Sequence, residues 1–144
     1  TDAAVIDQAE LTSLSPSTVE TLNQILPPAW SHSNPVDLLG DADAERYAKS
    51  IEALENDPKG DGLLVILSPQ DMTDATGTAE SIKQFGQNPG KPLLASWMGG
   101  ESVKEGAKIL SDAQVPVFIY PDDAARTFAT MWRYSKNLQT LYEV

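Results

Sequence analysis

The pair Gly99-Gly100 stands between an apolar run and a helical pattern. Glycines let a backbone approach a ligand closely, and a helix amino end offers free N–H groups, so this is the best place in the chain to hold an anion. No Walker pattern and no G-x-G-x-x-G accompanies it, so an ordinary strand-to-helix turn reads equally well, and Glu101 at the helix start argues against a phosphate. A second candidate is the loop Asn34-Pro35-Val36-Asp37-Leu38-Leu39-Gly40-Asp41. In it, Asp37 can fold the loop by accepting backbone N–H bonds or can face a ligand. Gly40 leads into Asp41 and Asp43, either of which caps the helix that follows. Ser68-Pro69-Gln70 leaves an apolar run in the same way. His32, the single histidine, can serve as a base or phosphoryl carrier, but Ser31 and Ser33 beside it do not make a triad, so it reads as an exposed loop residue. One histidine, no cysteine and no D-x-D-x-D-G loop give a metal no site, and no catalytic residue is assigned.

The elements that must position these residues are legible in the middle of the chain. Leu63-Leu64-Val65-Ile66-Leu67, Leu93-Leu94-Ala95-Ser96-Trp97-Met98 and Val117-Phe118-Ile119-Tyr120 are short apolar runs without polar alternation. Such runs predict strands buried on both faces, as in a parallel sheet. Between them lie helical stripes: Ala44, Tyr47, Ala48, Ile51 and Leu54; a helix from an N-cap at Thr73 to Phe85; Val103, Gly106, Ala107 and Leu110; and Ala125, Phe128, Ala129 and Trp132. Asp122 and Asp123 favour the positive end of the last of these. Residues 133–144 continue that helix or form a linker. The alternation predicts an α/β domain with a mostly parallel sheet and helices on both faces. The first third is weaker: a short strand over 10–14, a helix with Ser15 as N-cap and Pro16 at its first position, a stop at Pro27-Pro28, and a loop over 29–41. Residues 1–6 read as the remnant of a helix, and a doubly wound sheet of five or six strands would then lack its first strand. Ligands of open parallel sheets sit outside the carboxyl ends of the strands. Asn34, Asp37, Gly40, Ser68, Gln70, Gly99 and Gly100 are therefore the expected rim.

Composition sets the outer limits. With 144 residues, 41% of them hydrophobic and 22% charged, the chain makes one globular domain. A net charge of −11 argues against nucleic acid or an anionic membrane surface as partner. The absence of cysteine and of a membrane-length apolar run or signal peptide fits a cytoplasmic location. Thr1 in place of a methionine reads as a processed chain or a part of a longer one.

Taken in order, Asn34-Pro35-Val36-Asp37, Gly40-Asp41-Ala42, Tyr47-Ala48, Asn56-Asp57-Pro58, Asp61-Gly62-Leu63-Leu64-Val65-Ile66, Ser68-Pro69-Gln70, Lys91-Pro92-Leu93-Leu94-Ala95, Trp97-Met98-Gly99-Gly100, Val115-Pro116-Val117-Phe118 and Pro121-Asp122-Asp123-Ala124 resemble the NDP-forming acyl-CoA synthetases, the superfamily of ADP-forming acetate–CoA ligase and succinyl-CoA synthetase. The likeness runs from about Leu14 to Tyr134; each motif is weak alone, and their joint order is specific. It implies a flavodoxin-like three-layer sandwich, the second CoA-ligase domain of a multidomain enzyme. That enzyme carries CoA-binding, phosphohistidine and ATP-grasp domains, uses CoA, ATP and Mg, and converts acid, CoA and ATP to acyl-CoA, ADP and phosphate through a phosphohistidine. The resemblance also implies that this domain supplies a phosphate-facing rim, binds no cofactor by itself and is inactive alone. Two departures bear on this. The family's Gly-Gly-Pro-Gly strand end, expected before the 1–4 segment, is not in the sequence, which leaves a sheet edge open to pairing with a second copy. His32 precedes Ser33-Asn34-Pro35 and does not match the Ser-His-Thr-Gly-Ala motif of the family's phosphohistidine. Some relatives fuse a ligase-like region to a protein acetyltransferase, so a regulatory module that senses CoA or acyl-CoA is the alternative. An independent flavodoxin or receiver domain lacks the loop residues that it needs.

Overall fold

Capping residues set where the helices begin. In the computed structural model, which describes residues 10–70, 72–87 and 90–142, Ser15 Oγ accepts the backbone N–H of Thr18 and Pro16 opens helix α1, Pro16–Ile25, which stops before Pro27-Pro28. Asp43 Oδ1 accepts from Arg46 N at 2.8 Å and starts α2, Ala44–Glu55. Strand β1, Leu63–Leu67, leads to α3, Ala75–Ile82, which runs on as a 3-10 segment, Lys83–Gln87. The N-cap of α3 is Asp74, whose carboxylate accepts from Gly77 N at 2.8 Å, and not Thr73. Thr73 Oγ1 is taken up in accepting Gln70 N instead. Then follow β2, Leu93–Trp97, a 3-10 turn, Gly100–Val103, α4, Lys104–Asp112, β3, Val117–Phe118, and α5, Pro121–Tyr142. Asp122 and Asp123 lie in the first turn of α5, where they favour its positive end.

The three strands form one parallel sheet in the order β1-β2-β3, with Leu63 opposite Leu93, Leu67 opposite Trp97 and Ala95 opposite Val117. Val65, Leu67, Leu93, Ala95 and Trp97 share one face and pack against Ile51 of α2, Ala79 and Ile82 of α3 and Leu110 of α4. The other face carries α5, with Ala124 and Ala129 buried and Phe128 lying against Gly62. The layers are thus helices, sheet, helix, and the expected α/β class with a parallel sheet holds. Helix α1 does not reach the sheet. It builds a second cluster of Leu22, Leu26 and Trp30 against Ala53 and Leu54 on the outer side of α2.

Three sequence-based expectations change. The segment 10–14 is not a strand, because its hydrogen bonds go elsewhere: Thr12 Oγ1 donates to Lys59 O, Thr12 O accepts from Asn34 Nδ2 at 2.9 Å, and the next backbone N–H, that of Ser15, donates to Asp57 Oδ2. The strands at 93 and 117 end sooner than expected, at Trp97 and Phe118, and Ile119 and Tyr120 are exposed. Only β2 is buried on both faces. Leu64 is 38% and Ile66 45% exposed, since β1 is an edge strand and α5 lies chiefly over β2. Of the aromatic and sulfur side chains read as core or rim, Trp30 and Trp97 are buried, whereas Met72 and Trp132 are exposed. The expected helix remnant at residues 1–6 lies outside the described residues.

Candidate functional site

The carboxyl end of β1 opens into a cavity of about 200 Å³ lined by Asp37, Gly40, Tyr47, Ser68, Gln70 and Thr73, with Leu39 and Ala42 at its wall. Two loops make it. The first is held by Asp37, whose Oδ1 accepts Leu39 N at 2.9 Å in an Asx turn, the structural half of what its position allows. Arg46 of α2 braces the same loop by donating to Leu38 O at 3.0 Å and to Asp41 Oδ1 at 2.8 Å. That bond to Arg46 lowers the pKa of Asp41, and the bond to Asp41 raises that of Arg46. The second loop closes on itself, with Gln70 N donating to Thr73 Oγ1 and Thr73 N to Gln70 O, each at 2.9 Å. The two loops meet where Gly40 lies under the Gln70 side chain. A β-carbon at Gly40 would come within 2.6 Å of Gln70 Oε1.

Tyr47 and Thr73 also line the cavity, although neither was expected at the rim. Tyr47 reads in sequence as one position of a core stripe. Tyr47 does pack against the core cluster, and because helical side chains point back toward the helix amino end, an aromatic in the first turn of α2 also reaches the rim. Burial raises the pKa of its phenol, and the carboxylate of Asp37 adds to this.

The remaining expected rim residues are placed differently. Asn34 turns away from the cavity and donates to Thr12 O, fixing the loop to the amino-terminal segment. Gly99 and Gly100 lie beside the cavity. A β-carbon on Gly99 would fall 2.6 Å from Pro69 Cγ, so the turns after β1 and β2 touch, while the space over Gly100 is open. Both glycines have positive φ, 139° and 59°. Gly99→Ala would meet Pro69 and hold a side chain in a region that L residues rarely adopt. It is expected to cost about 2 kcal/mol in urea unfolding, with amide shifts spreading to residues 68–70. His32 is exposed and structural, its ring nitrogens set against Asn23 Oδ1 and Pro28 O and its ring 4.7 Å from that of Trp30.

None of the cavity-lining side chains is a lysine or arginine, and the 3-10 turn after Gly99 bears Glu101. Among the described residues the cavity thus offers a phosphate no side-chain cation. Among the described residues no group of three or more His, Cys, Asp or Glu side chains could hold a metal ion. No helix of the described residues is long and apolar enough to cross a membrane. A wider hollow of about 450 Å³ between the 3-10 extension of α3 and α4 is lined by charged side chains already matched with one another, Lys83 with Glu80 at 2.5 Å and Asp112 with Lys108 at 2.6 Å.

Residues 1–141 match the family of the Ligase-CoA domain. The chain belongs to that family. It is 40% identical over 119 residues to the ADP-forming acetate–CoA ligase I of Archaeoglobus fulgidus, covering 83% of this chain and 16% of the relative. It is 33% identical over 132 residues to the ADP-forming 4-hydroxybutyrate–CoA ligase of Nitrosopumilus maritimus, covering 92% of this chain and 18% of that protein. The dinucleotide-forming acetyl-coenzyme A synthetase 1 of Ca. Korarchaeum cryptofilum superposes with a TM-score of 0.83 over 94% of this chain and 30% of its own, at 24% identity. The Ligase-CoA chain thus spans less than a third of each of these proteins, and its fold is that of one part of them.

Proposed function

We propose that this Ligase-CoA domain works within a larger ADP-forming acyl-CoA ligase, in which acid, CoA and ATP become acyl-CoA, ADP and phosphate by way of a phosphohistidine carried on another domain. The observation that carries the reading is the joined rim, in which the loops bearing Asp37, Gly40, Ser68 and Gln70 enclose a cavity at the carboxyl end of β1 and Gly99 packs on Pro69 beside it. Ligands of open parallel sheets gather at such ends. Residues 1–144 act as a single domain, with the end of α5 leading toward its neighbours. The rim meets the phosphohistidine, CoA-binding and ATP-grasp domains, and the open turn at Gly99-Gly100 is the part of it that faces phosphate. CoA, ATP and Mg are held by those other domains, and the domain by itself turns nothing over. The enzyme is cytoplasmic. In isolation the free edge of β1 allows a second copy to pair.

The test is acyl-CoA formation by the complete polypeptide, followed as ADP and phosphate release over a panel of short acids. Wild type is expected to turn over, and Gly100→Ala to slow it roughly tenfold by misplacing the turn. Its stability should fall by only about 1 kcal/mol, the cost of a left-handed residue in open space. A complete polypeptide that binds CoA and turns over no acid would sink the catalytic reading in favour of a ligand-sensing module.

A further inference from the structure

The cavity at the end of β1 is chemically specific in a way that family membership does not state. Among the described residues that line it, the one charged group is the Asp37 carboxylate. Of that carboxylate, Oδ1 is used by Leu39 N, and Oδ2 has no partner among the described residues. The hydroxyls of Tyr47 and Ser68 and the side-chain amide of Gln70 likewise make no hydrogen bond among the described residues, and all line the same space. Thr73 Oγ1 accepts from Gln70 N and keeps a lone pair and its proton. Asp37, Ser68 and Gln70 are exposed and Tyr47 and Thr73 half-buried, so water meets these groups until a partner with matching donors displaces it. The nearby cation, Arg46, is spent on Asp41 and Leu38 O, and the chain as a whole carries −11. That field repels a phosphate and draws in a positive charge. The hollow, about 200 Å³, is open to solvent on one side and has room for the planar head of a long side chain.

We propose that this cavity is the seat of a guanidinium side chain presented by a neighbouring domain of the same ligase, with Asp37 Oδ2 as its ion-pair partner and Tyr47 Oη, Ser68 Oγ and Gln70 Oε1 as further acceptors. A guanidinium offers five donors in one plane and so can use several acceptors at once, which a point-charge ammonium does less well. The seat would fix this domain against its neighbour and leave the Gly99-Gly100 turn beside it free for anion contacts. The proposal rests on the reading that the chain is one domain of a larger ligase.

The probe is methylguanidinium chloride, titrated into the isotopically labelled 144-residue chain at constant ionic strength, with inorganic phosphate and sodium chloride as comparisons, and read by amide NMR. Saturable shifts are expected at Leu39, Gly40, Ser68 and Gln70 with methylguanidinium alone. Asp37→Asn keeps the Oδ1 acceptor of the Asx turn, so the loop should persist while the apparent Kd rises at least roughly fivefold. Ser68→Ala should weaken binding by a smaller factor. Phosphate shifting these amides more readily than methylguanidinium, or an unchanged Kd in Asp37→Asn, overturns the proposal, as does an absence of saturable shifts with any probe. None of these results touches acyl-CoA formation by the complete polypeptide, so failure of the seat and failure of the ligase reading remain distinguishable.

Discussion

Asp57→Ala is expected to destabilise the domain by about 3 kcal/mol, read as a drop in the urea midpoint at unchanged slope. Asp57 is 2% exposed and lies in the Asn56-Asp57-Pro58 turn between α2 and β1. Its Oδ2 accepts Ser15 N and its Oδ1 accepts Lys59 N, each at 2.8 Å, while Lys91 Nζ donates to its backbone carbonyl. One carboxylate therefore joins the start of α1, the entry to β1 and the entry to β2. Alanine would leave two N–H groups without acceptors, one of them in the interior. The same contacts make the stability pH-dependent. Burial works to raise the pKa of this carboxyl, but the backbone N–H groups of Ser15 and Lys59 and the hydroxyls of Thr18 and Ser15 outweigh it and hold the value at about 2, below the ordinary 3.8. Because the folded pKa is the lower one, the contribution is complete above pH 3.8 and is lost as pH falls from there through 2. It amounts to about 2 kcal/mol at most, less whatever solvent screening removes. Asp57→Asn should cost about half as much as the alanine variant at pH 7, because its amide retains one acceptor. It should also flatten the pH profile below 4. If alanine changes the midpoint by less than 1 kcal/mol, or if Asn leaves the acid limb intact, the clamp has been misassigned.

How far the sequence led depended on whether a signal was local. The strands at Leu63 and Leu93 were legible because unbroken apolar runs between Gly and Pro have few other homes, and Ser15 and Pro16 announced α1 because capping chemistry is decided within four residues. The 10–14 segment misled because Leu11 and Leu14 suggest a strand, whereas the hydrogen-bond partners here and at Ser15, namely Lys59, Asn34 and Asp57, lie 22 to 47 residues away and leave no trace nearby. Thr73 lost the cap of α3 to Asp74 by one position, the margin within which two capping residues in succession cannot be told apart. The exposure of Leu64 and Ile66 reflects strand order, which periodicity does not encode: β1 has the composition of a central strand and the place of an edge. At the rim, Asp37, Gly40, Ser68 and Gln70 could be assigned together because strand ends define a rim. That Asn34 turns inward to Thr12 and that Tyr47 joins the cavity depend on how the loop folds against α2.

Gly106→Ala is the substitution in which two principles give opposite signs. Gly106 lies inside α4, where alanine favours the helix by about 1 kcal/mol. The contacts decide against it. A β-carbon there would lie 2.6 Å from Ala75 O and 2.9 Å from Trp97 Nε1, where ordinary contact begins at 3.4 Å. Ala75 O belongs to the first turn of α3 and cannot swing aside as a side-chain tip would. Trp97 is 3% exposed, with its Nε1 lacking any partner among the described residues, and is wedged in the core between β2 and α4. Relief requires α4 to back away by most of an ångström, and the gap opens under Leu110, Val103 and Trp97. Overpacking of this kind costs 1–3 kcal/mol or more, so a net loss of about 2–3 kcal/mol is expected in urea unfolding. An increase in stability at Gly106 would mean that helix propensity outweighs packing and that α3 and α4 are looser than these distances imply. Because α4 begins where the Gly99-Gly100 turn ends, the retreat should also draw Gly99 off Pro69. Amide shifts at residues 68–70 should then accompany the lost stability, tying the packing of the core to the shape of the rim.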